Sequence, residues 1–353
     1  MTDRPIRVLV AEDSPTAREL LTAILETDAE IRVVGCASDG EEAVRLTKKL
    51  RPNLVLMDVR MPKMNGFHAT KTIMIECPTP IVIVSAWISG REVNVSMEAL
   101  RMGALAVLAK PVGPTAPSFQ KSCAELIGMV KAMAEVRTVR HWPLRPPATP
   151  AATGRRPSVA TAVDVVAIAA STGGPQALGK LFAQLTGAFS APILVVQHIG
   201  QEVLAGFAQW LNSCTELRVK IAEAGETARK GTVYLPAPDR HLEISRGGKL
   251  VLSSAPPVSG FRPAANVLLD SVARAYGPSV LAVILTGMGT DGAAGACTVK
   301  AAGGSVIAQD EATSVVFGMP KAAIDSGCVD QTMPLPEIAA KLLQLTGSTQ
   351  QGA

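Results

Sequence analysis

Three polar residues stand in equivalent places in the second half of the chain. Ser171 ends the apolar run Val165-Val166-Ala167-Ile168-Ala169-Ala170, and His198 ends Ile193-Leu194-Val195-Val196-Gln197. Asp291 follows Leu281-Ala282-Val283-Ile284-Leu285 by a glycine-rich loop, Thr286-Gly287-Met288-Gly289-Thr290. In open α/β sheets, sites form outside the carboxyl ends of the parallel strands. A serine hydroxyl is a poor nucleophile until a base takes its proton, and the base needs a carboxylate to set its tautomer and stabilise the imidazolium. Together the three residues can carry out acyl transfer, as in an esterase or amidase. Ser171-Thr172-Gly173-Gly174-Pro175 alone is also compatible with a phosphate cradle or a plain turn, because backbone N–H groups at a helix start hold either kind of anion.

The first half carries a different set. Glu12 and Asp13 follow one apolar run, Asp58 ends Leu54-Val55-Leu56-Met57, Ser85 ends Ile81-Val82-Ile83-Val84, and Lys110 follows the run ending Val107-Leu108-Ala109. Clustered carboxylates repel one another unless a hard cation sits between them, and oxygen ligands with room for water suit Mg²⁺. With Mg²⁺ and Lys110 to neutralise charge, Asp58 is placed to attack a phosphoryl donor, and Ser85 to donate a hydrogen bond to the new phosphoryl oxygen.

These residues need strand ends to present them. Over the first ~112 residues short apolar strands (Ile6–Val10, Ile31–Cys36, Leu54–Met57, Ile81–Val84, Ala104–Leu108) alternate with amphipathic helical stretches such as Pro15–Leu25 and Gly40–Leu50. This predicts a five-stranded parallel sheet of flavodoxin-like order. Residues 118–142 have helical apolar spacing, and the Pro-rich stretch from Pro143 to about Ala160 reads as a linker. The α/β pattern then resumes, with strands at Val165–Ala169, Ile193–Val196, Leu217–Ile221, Leu281–Leu285 and Ser305–Ala308. Short strands at Thr232–Leu235, His241–Ser245 and Leu250–Leu252, with a turn at Gly247-Gly248, suggest an antiparallel hairpin addition. The predicted fold class is α/β throughout, with domains at 1–113 and 164–346, a helix and linker over 114–163, and a frayed tail over 347–353.

Composition agrees with two globular domains. The chain has 353 residues, 48% of them hydrophobic but only 3% aromatic, so the cores are aliphatic. A net charge of +4 over this length gives no clustered basic face of the kind nucleic acid needs. Six scattered cysteines without metal spacing predict reduced, buried thiols in a cytosolic protein. No apolar run reaches the ~18–20 residues of a membrane span, and no signal peptide is expected.

The first set, with Met61-Pro62, Met64-Asn65-Gly66 and Lys110-Pro111, resembles the receiver domain of two-component response regulators over residues ~5–112. The resemblance implies a histidine kinase as phosphodonor, Asp58 as acceptor, and Mg²⁺ held by Glu12, Asp13, Asp58 and the Arg60 carbonyl. Receivers often carry an aromatic switch residue three places before the lysine, where this chain has Val107.

The second half, over ~164–345, resembles the chemotaxis protein-glutamate methylesterases. Ala170–Pro175, Gln197-His198, Ala237-Pro238-Asp239-Arg240-His241, Leu285–Gly292, Ala308-Gln309-Asp310-Glu311 and Val316-Phe317-Gly318-Met319-Pro320 carry this resemblance. It implies a doubly wound methylesterase domain with Ser171 as nucleophile, His198 as base, Asp291 as orienter and the N–H groups of Thr172 and Met288 as oxyanion donors. It further implies demethylation and glutamine deamidation on chemoreceptors, no cofactor at the esterase site, and a receiver that covers that site until Asp58 is phosphorylated. Ala169 stands where the family usually has glycine, and Phe261-Arg262-Pro263-Ala264-Ala265-Asn266 replaces the family's His-Arg-Pro-Ser-Val-Asp. A non-catalytic, phosphorylation-controlled binding module is the alternative from another class. A DNA-binding regulator is disfavoured by the size and sheet content of the second half.

Overall fold

The computed structural model describes residues 5–85, 102–117, 119–134, 136 and 163–346, without the side chains of Glu202 and Thr346. These fall into two compact units, one within residues 1–147 and one within 148–353.

In the first unit, β1 (Ile6–Ala11), β2 (Ile31–Ala37), β3 (Leu54–Asp58), β4 (Ile81–Ser85) and β5 (Ala106–Ala109) form a parallel five-stranded sheet in the order β2-β1-β3-β4-β5. β3 and β4 are buried along their whole length, as unbroken apolar runs in a parallel sheet should be. Sequence signals place the helices. Ser14 caps Pro15–Leu25, with Pro15 in the first turn. Asp39 caps Gly40–Leu50, which has Glu41 and Glu42 in its first turn and Lys48 and Lys49 in its last, matching the helix dipole. The helix expected over 118–142 runs Phe119–Ala134. The linker and the tail lie outside the described residues.

The second unit has a seven-stranded sheet built from β6 (Val165–Ala170), β7 (Ile193–Gln197), β8 (Arg218–Ile221), β9 (Thr232–Leu235), β12 (Val280–Ile284), β13 (Ser305–Gln309) and β14 (Gln331–Met333), in the order β14-β13-β12-β6-β7-β9-β8. All its pairings are parallel. Thr232–Leu235, grouped in the sequence with the hairpin strands, instead joins this sheet between β7 and β8. The separate hairpin is β10 (His241–Ile244) paired antiparallel with β11 (Leu250–Ser253). β6 starts the unit and has β7 on one side and β12 on the other, so the strand order reverses there. Such a switch point is where open α/β sheets bind ligands. Its walls are aliphatic: Val165, Ala167, Val196, Ala282 and Ile284 pack with Leu268, Leu269 and Val272 of the helix Ala265–Tyr276 in one core.

The expectation of six reduced, buried thiols is corrected. Cys297 and Cys328 are bonded, with their Cα atoms 5.0 Å apart, and Cys36 is exposed. The pair is 31 residues apart in sequence and meets only through the fold, so spacing did not announce it. No described helix is long and apolar enough to cross a membrane.

Candidate active site and phosphorylation site

The last paired residues of β6 and β7 are Ala170 and Gln197, and the candidate nucleophile and base each lie one residue beyond. The backbone fixes both. Ser171 N–H donates to the Thr286 carbonyl at 3.0 Å, and His198 N–H donates to the Ala170 carbonyl at 2.9 Å. The Gln197 side chain, 3% exposed, ties the two strand ends together. Its Nε2 donates to the Ser171 carbonyl at 2.7 Å and to the His198 carbonyl at 2.9 Å. Gly174 makes room for it, since a Cβ there would lie 1.9 Å from Gln197 Oε1. Sequence reasoning quoted Gln197 but gave it no role; a buried polar residue inside an apolar strand run was the available signal.

His198 and Asp291 meet. The imidazole Nε2 lies 2.9 Å from Asp291 Oδ2, which requires the proton on Nε2, because a carboxylate only accepts. Nδ1 is therefore the nitrogen left to take a proton from serine; it is buried and has no hydrogen-bond partner among the described residues. No hydrogen bond joins Ser171 Oγ to His198 among the described residues. Catalytic hydrogen bonds of free enzymes are often long and tighten only with substrate.

Asp291 is buried and held on its other side by the start of the helix Ala265–Tyr276. Ala265 N–H donates to Oδ2 at 2.6 Å and Asn266 N–H to Oδ1 at 3.0 Å. Burial pushes the Asp291 carboxyl up, but the His198 hydrogen bond and the two N–H groups outweigh it, and the net direction is below the ordinary carboxylate value. Asn266 returns the favour: its Oδ1 accepts from Gly292 N–H at 3.0 Å and Gly295 N–H at 2.8 Å, at the start of the helix Ala293–Ala301. The start of the helix Ala265–Tyr276 is thus bound by Asp291 from the loop before the helix Ala293–Ala301, and the start of that second helix by Asn266 from the first. The 261–266 segment, which the sequence shows only as a departure from the family's pattern, supports the carboxylate through the main chain of Ala265 and Asn266.

The loop after β12 is anchored too. Thr286 Oγ1 donates to the Thr172 carbonyl at 2.9 Å, and Gln309 Oε1 accepts from Thr286 N–H at 2.8 Å. Among the described residues, no hydrogen bond of the fold uses the N–H of Thr172 or of Met288. Met288 is exposed, at 45%.

In the first unit, Lys110 Nζ lies 2.8 Å from Glu12 Oε2 and 3.0 Å from Asp58 Oδ1. Oxygens of Glu12, Asp13 and Asp58 lie within 4.8 Å of one another, a donor set that fits a hard divalent cation. Burial pushes the Glu12 and Asp58 carboxyls up despite Lys110, and a cation among them would favour their ionised forms. Ser85 is buried at the end of β4, and Arg60 is exposed in the loop after β3. That loop closes on the strand because Gly66 lacks a side chain: a Cβ there would lie 2.0 Å from the Asp58 carbonyl oxygen.

The CheB methylesterase family model matches residues 166–342, and the response regulator receiver domain model matches residues 8–116. A protein-glutamate methylesterase/protein-glutamine glutaminase of Myxococcus xanthus is 51% identical over 344 residues, covering 97% of each chain. This chain belongs to the CheB family. A Pyrococcus abyssi protein of the same name is 40% identical over 96% of this chain and 93% of its own length. Among solved structures, the Thermotoga maritima CheB methylesterase catalytic domain aligns with a TM-score of 0.51 and 42% identity, over 52% of this chain and all of that domain. The CheB relatives span both halves under one enzymatic name, which disfavours the non-catalytic module.

Proposed function

We propose that the chain removes methyl groups from glutamate γ-esters on chemoreceptors, releasing methanol, converts receptor glutamines to glutamates, and is accelerated by phosphorylation of Asp58. The observation that carries this reading is the His198–Asp291 hydrogen bond on the rim where Ser171 ends the neighbouring strand. In acylation Ser171 Oγ attacks the ester carbonyl and its proton passes to His198 Nδ1. The oxyanion lies against the N–H groups of Thr172 and Met288; loss of one such donor costs on the order of 3 kcal/mol in other hydrolases. As the C–O bond breaks, His198 returns the proton to the leaving oxygen, giving methanol. Water, deprotonated by the same nitrogen, then attacks the acyl-serine, restoring the hydroxyl and freeing glutamate. With glutamine the leaving group is ammonia. Asp291 keeps the proton of neutral His198 on Nε2 and stabilises the imidazolium.

At the receiver, Glu12, Asp13, Asp58 and the Arg60 carbonyl would hold Mg²⁺, which neutralises charge on the incoming phosphoryl group. Asp58 accepts that group from a chemotaxis histidine kinase, Lys110 pairs with the acyl phosphate, and the Ser85 hydroxyl donates to a phosphoryl oxygen. A cytoplasmic location follows from such partners. The test is methanol release from a methylated chemoreceptor fragment, with phosphodonor and Mg²⁺ present, by wild type and Ser171→Ala. Release by wild type alone supports the activity and the nucleophile together. Release by neither, with Asp58 phosphorylated, points to another substrate.

A further inference from the structure

A hydrogen bond fixes a direction but not a plane. Among the described residues His198 has one side-chain hydrogen bond, through Nε2, and its Nδ1 has none, so hydrogen bonding leaves the imidazole free to rock about the line to Asp291. Something else must set its plane, and Phe261 is in place to do so. The two rings are stacked, with centroids 4.1 Å apart and planes 3° from parallel.

The residues around Phe261 hold it there. Val258 and Phe261 exchange backbone N–H···O bonds at 3.0 and 2.9 Å, across a two-residue turn in which Ser259 and Gly260 have φ of 51° and 84°. Positive φ at both positions is the geometry of a tight hairpin turn whose twist suits the flanking strands. On the far side, Arg262 makes a bidentate pair with Asp239, Nε to Oδ1 at 2.8 Å and Nη2 to Oδ2 at 2.7 Å. Its Nη1 donates to the Ser254 and Ala255 carbonyls at 3.3 and 3.1 Å. His241, fully buried, accepts the Ala264 N–H on Nδ1 at 3.2 Å, which leaves Nε2–H to donate to the Pro256 carbonyl at 3.2 Å. Asp239 and His241 belong to the Pro238–His241 motif, for which the acyl-transfer chemistry has no use. They clamp the chain on both sides of the turn that presents Phe261.

We propose that Phe261 is a positioning residue for His198: its ring face sets the imidazole plane so that Nδ1 stays in line with Ser171 while Nε2 holds Asp291. The proposal rests on the assignment of Ser171 and His198 as nucleophile and base. A flat aromatic face is required, because aromatic pairs prefer defined ring geometries that aliphatic side chains of similar bulk do not impose.

The test is the rate at which a small fluorophosphonate labels Ser171 in the full-length protein, with phosphodonor and Mg²⁺ present throughout. The probe needs the base but little of the substrate-binding surface. Phe261→Leu and Phe261→Ala are expected to label roughly three- to tenfold more slowly, the rate equivalent of a lost aromatic stack. Phe261→Tyr should stay within about twofold of wild type, because the ring face is kept. In parallel, the carbon-bound His198 protons, resolvable by NMR in a chain with four histidines, should lose their ring-current shift in Phe261→Leu and keep it in Phe261→Tyr. Wild-type labelling by Phe261→Leu overturns the proposal, as does Phe261→Tyr slowed as much as Phe261→Leu. Labelling that survives Ser171→Ala overturns the nucleophile assignment instead. Thermal unfolding of each variant separates a lost stack from a lost fold.

Discussion

Replacing Gln197 with methionine should separate the stability of the catalytic unit from its reactivity. Methionine has nearly the same length and volume but donates nothing. Two bonds disappear, at 2.7 Å to Ser171 and 2.9 Å to His198, each worth ~1 kcal/mol net. The Ser171 carbonyl keeps the Gly174 N–H at 2.8 Å, so its loss is partial. Set against this, Gln197 Oε1 is buried without a partner among the described residues, and removing it recovers a desolvation cost of similar size, ~1 kcal/mol. The balance is a destabilisation of at most ~1 kcal/mol, a fall in Tm of no more than about 4 °C for a unit of this size. Reactivity is not offset in the same way. Among the described residues the bridge is the one side chain bonded to both strand ends that present Ser171 and His198, and misplacement by ~1 Å can cost ~100-fold in rate. Fluorophosphonate labelling of Ser171 should therefore slow by at least about tenfold in a protein that still unfolds cooperatively. Labelling within about twofold of wild type, with the modest fall in Tm, would refute the claim that this bridge sets the register of nucleophile and base.

Other outcomes follow from the same geometry. Because the Asp291 carboxyl is depressed in the folded chain, its contribution to stability is complete above the unfolded aspartate value, near pH ~4, and is lost as pH falls through the lower folded value. The Tm difference between wild type and Asp291→Asn should accordingly be largest above that pH and shrink below it; a difference constant down to pH ~2 would contradict the shift. Asn266→Ala removes both acceptor bonds at the start of the helix Ala293–Ala301 and should cost ~1–2 kcal/mol in urea unfolding, whereas Asn266→Ser, too short to reach both N–H groups, should recover at most part of it. Asp58→Asn should abolish phosphate uptake from a small phosphodonor, and with it the acceleration of methanol release, leaving the basal rate intact. Gly66→Ala forces a methyl group onto the Asp58 carbonyl and should lower both receiver stability and phosphate uptake, measured by calorimetry and radiolabel incorporation.

Much of this arrangement was legible in the sequence because parallel α/β sheets advertise their rims. An apolar strand run that stops at Asp58, Ser171 or His198 places that side chain at a carboxyl edge whatever the details of packing, and the observed strands end at Asp58, Ala170 and Gln197. The 2-1-3-4-5 order of the first sheet followed from five strands alternating with helices in one small domain. What escaped were features that exist only between distant segments. β14 has three residues, too few for any periodicity, and β9 is buried throughout, so its alternation could not name its partner. Phe261 and Asn266 registered only as departures from a pattern. One stacks on a ring 63 positions away, and the other caps a helix that begins 27 positions later, contacts that a linear reading does not contain.

The hold on Asp291 is written in peptide groups. Ala265 and Asn266 present main-chain N–H donors, which every residue except proline supplies, so selection on this part of the site acts on the path of the chain and scarcely on its letters. Positions 264 and 265 then need only a side chain small enough for the buried corner, and the two alanines meet that need. Two enzymes of this kind can differ at 264 and 265 and still orient the same carboxylate. Alignment-based scoring of active-site residues would mark the difference as damage.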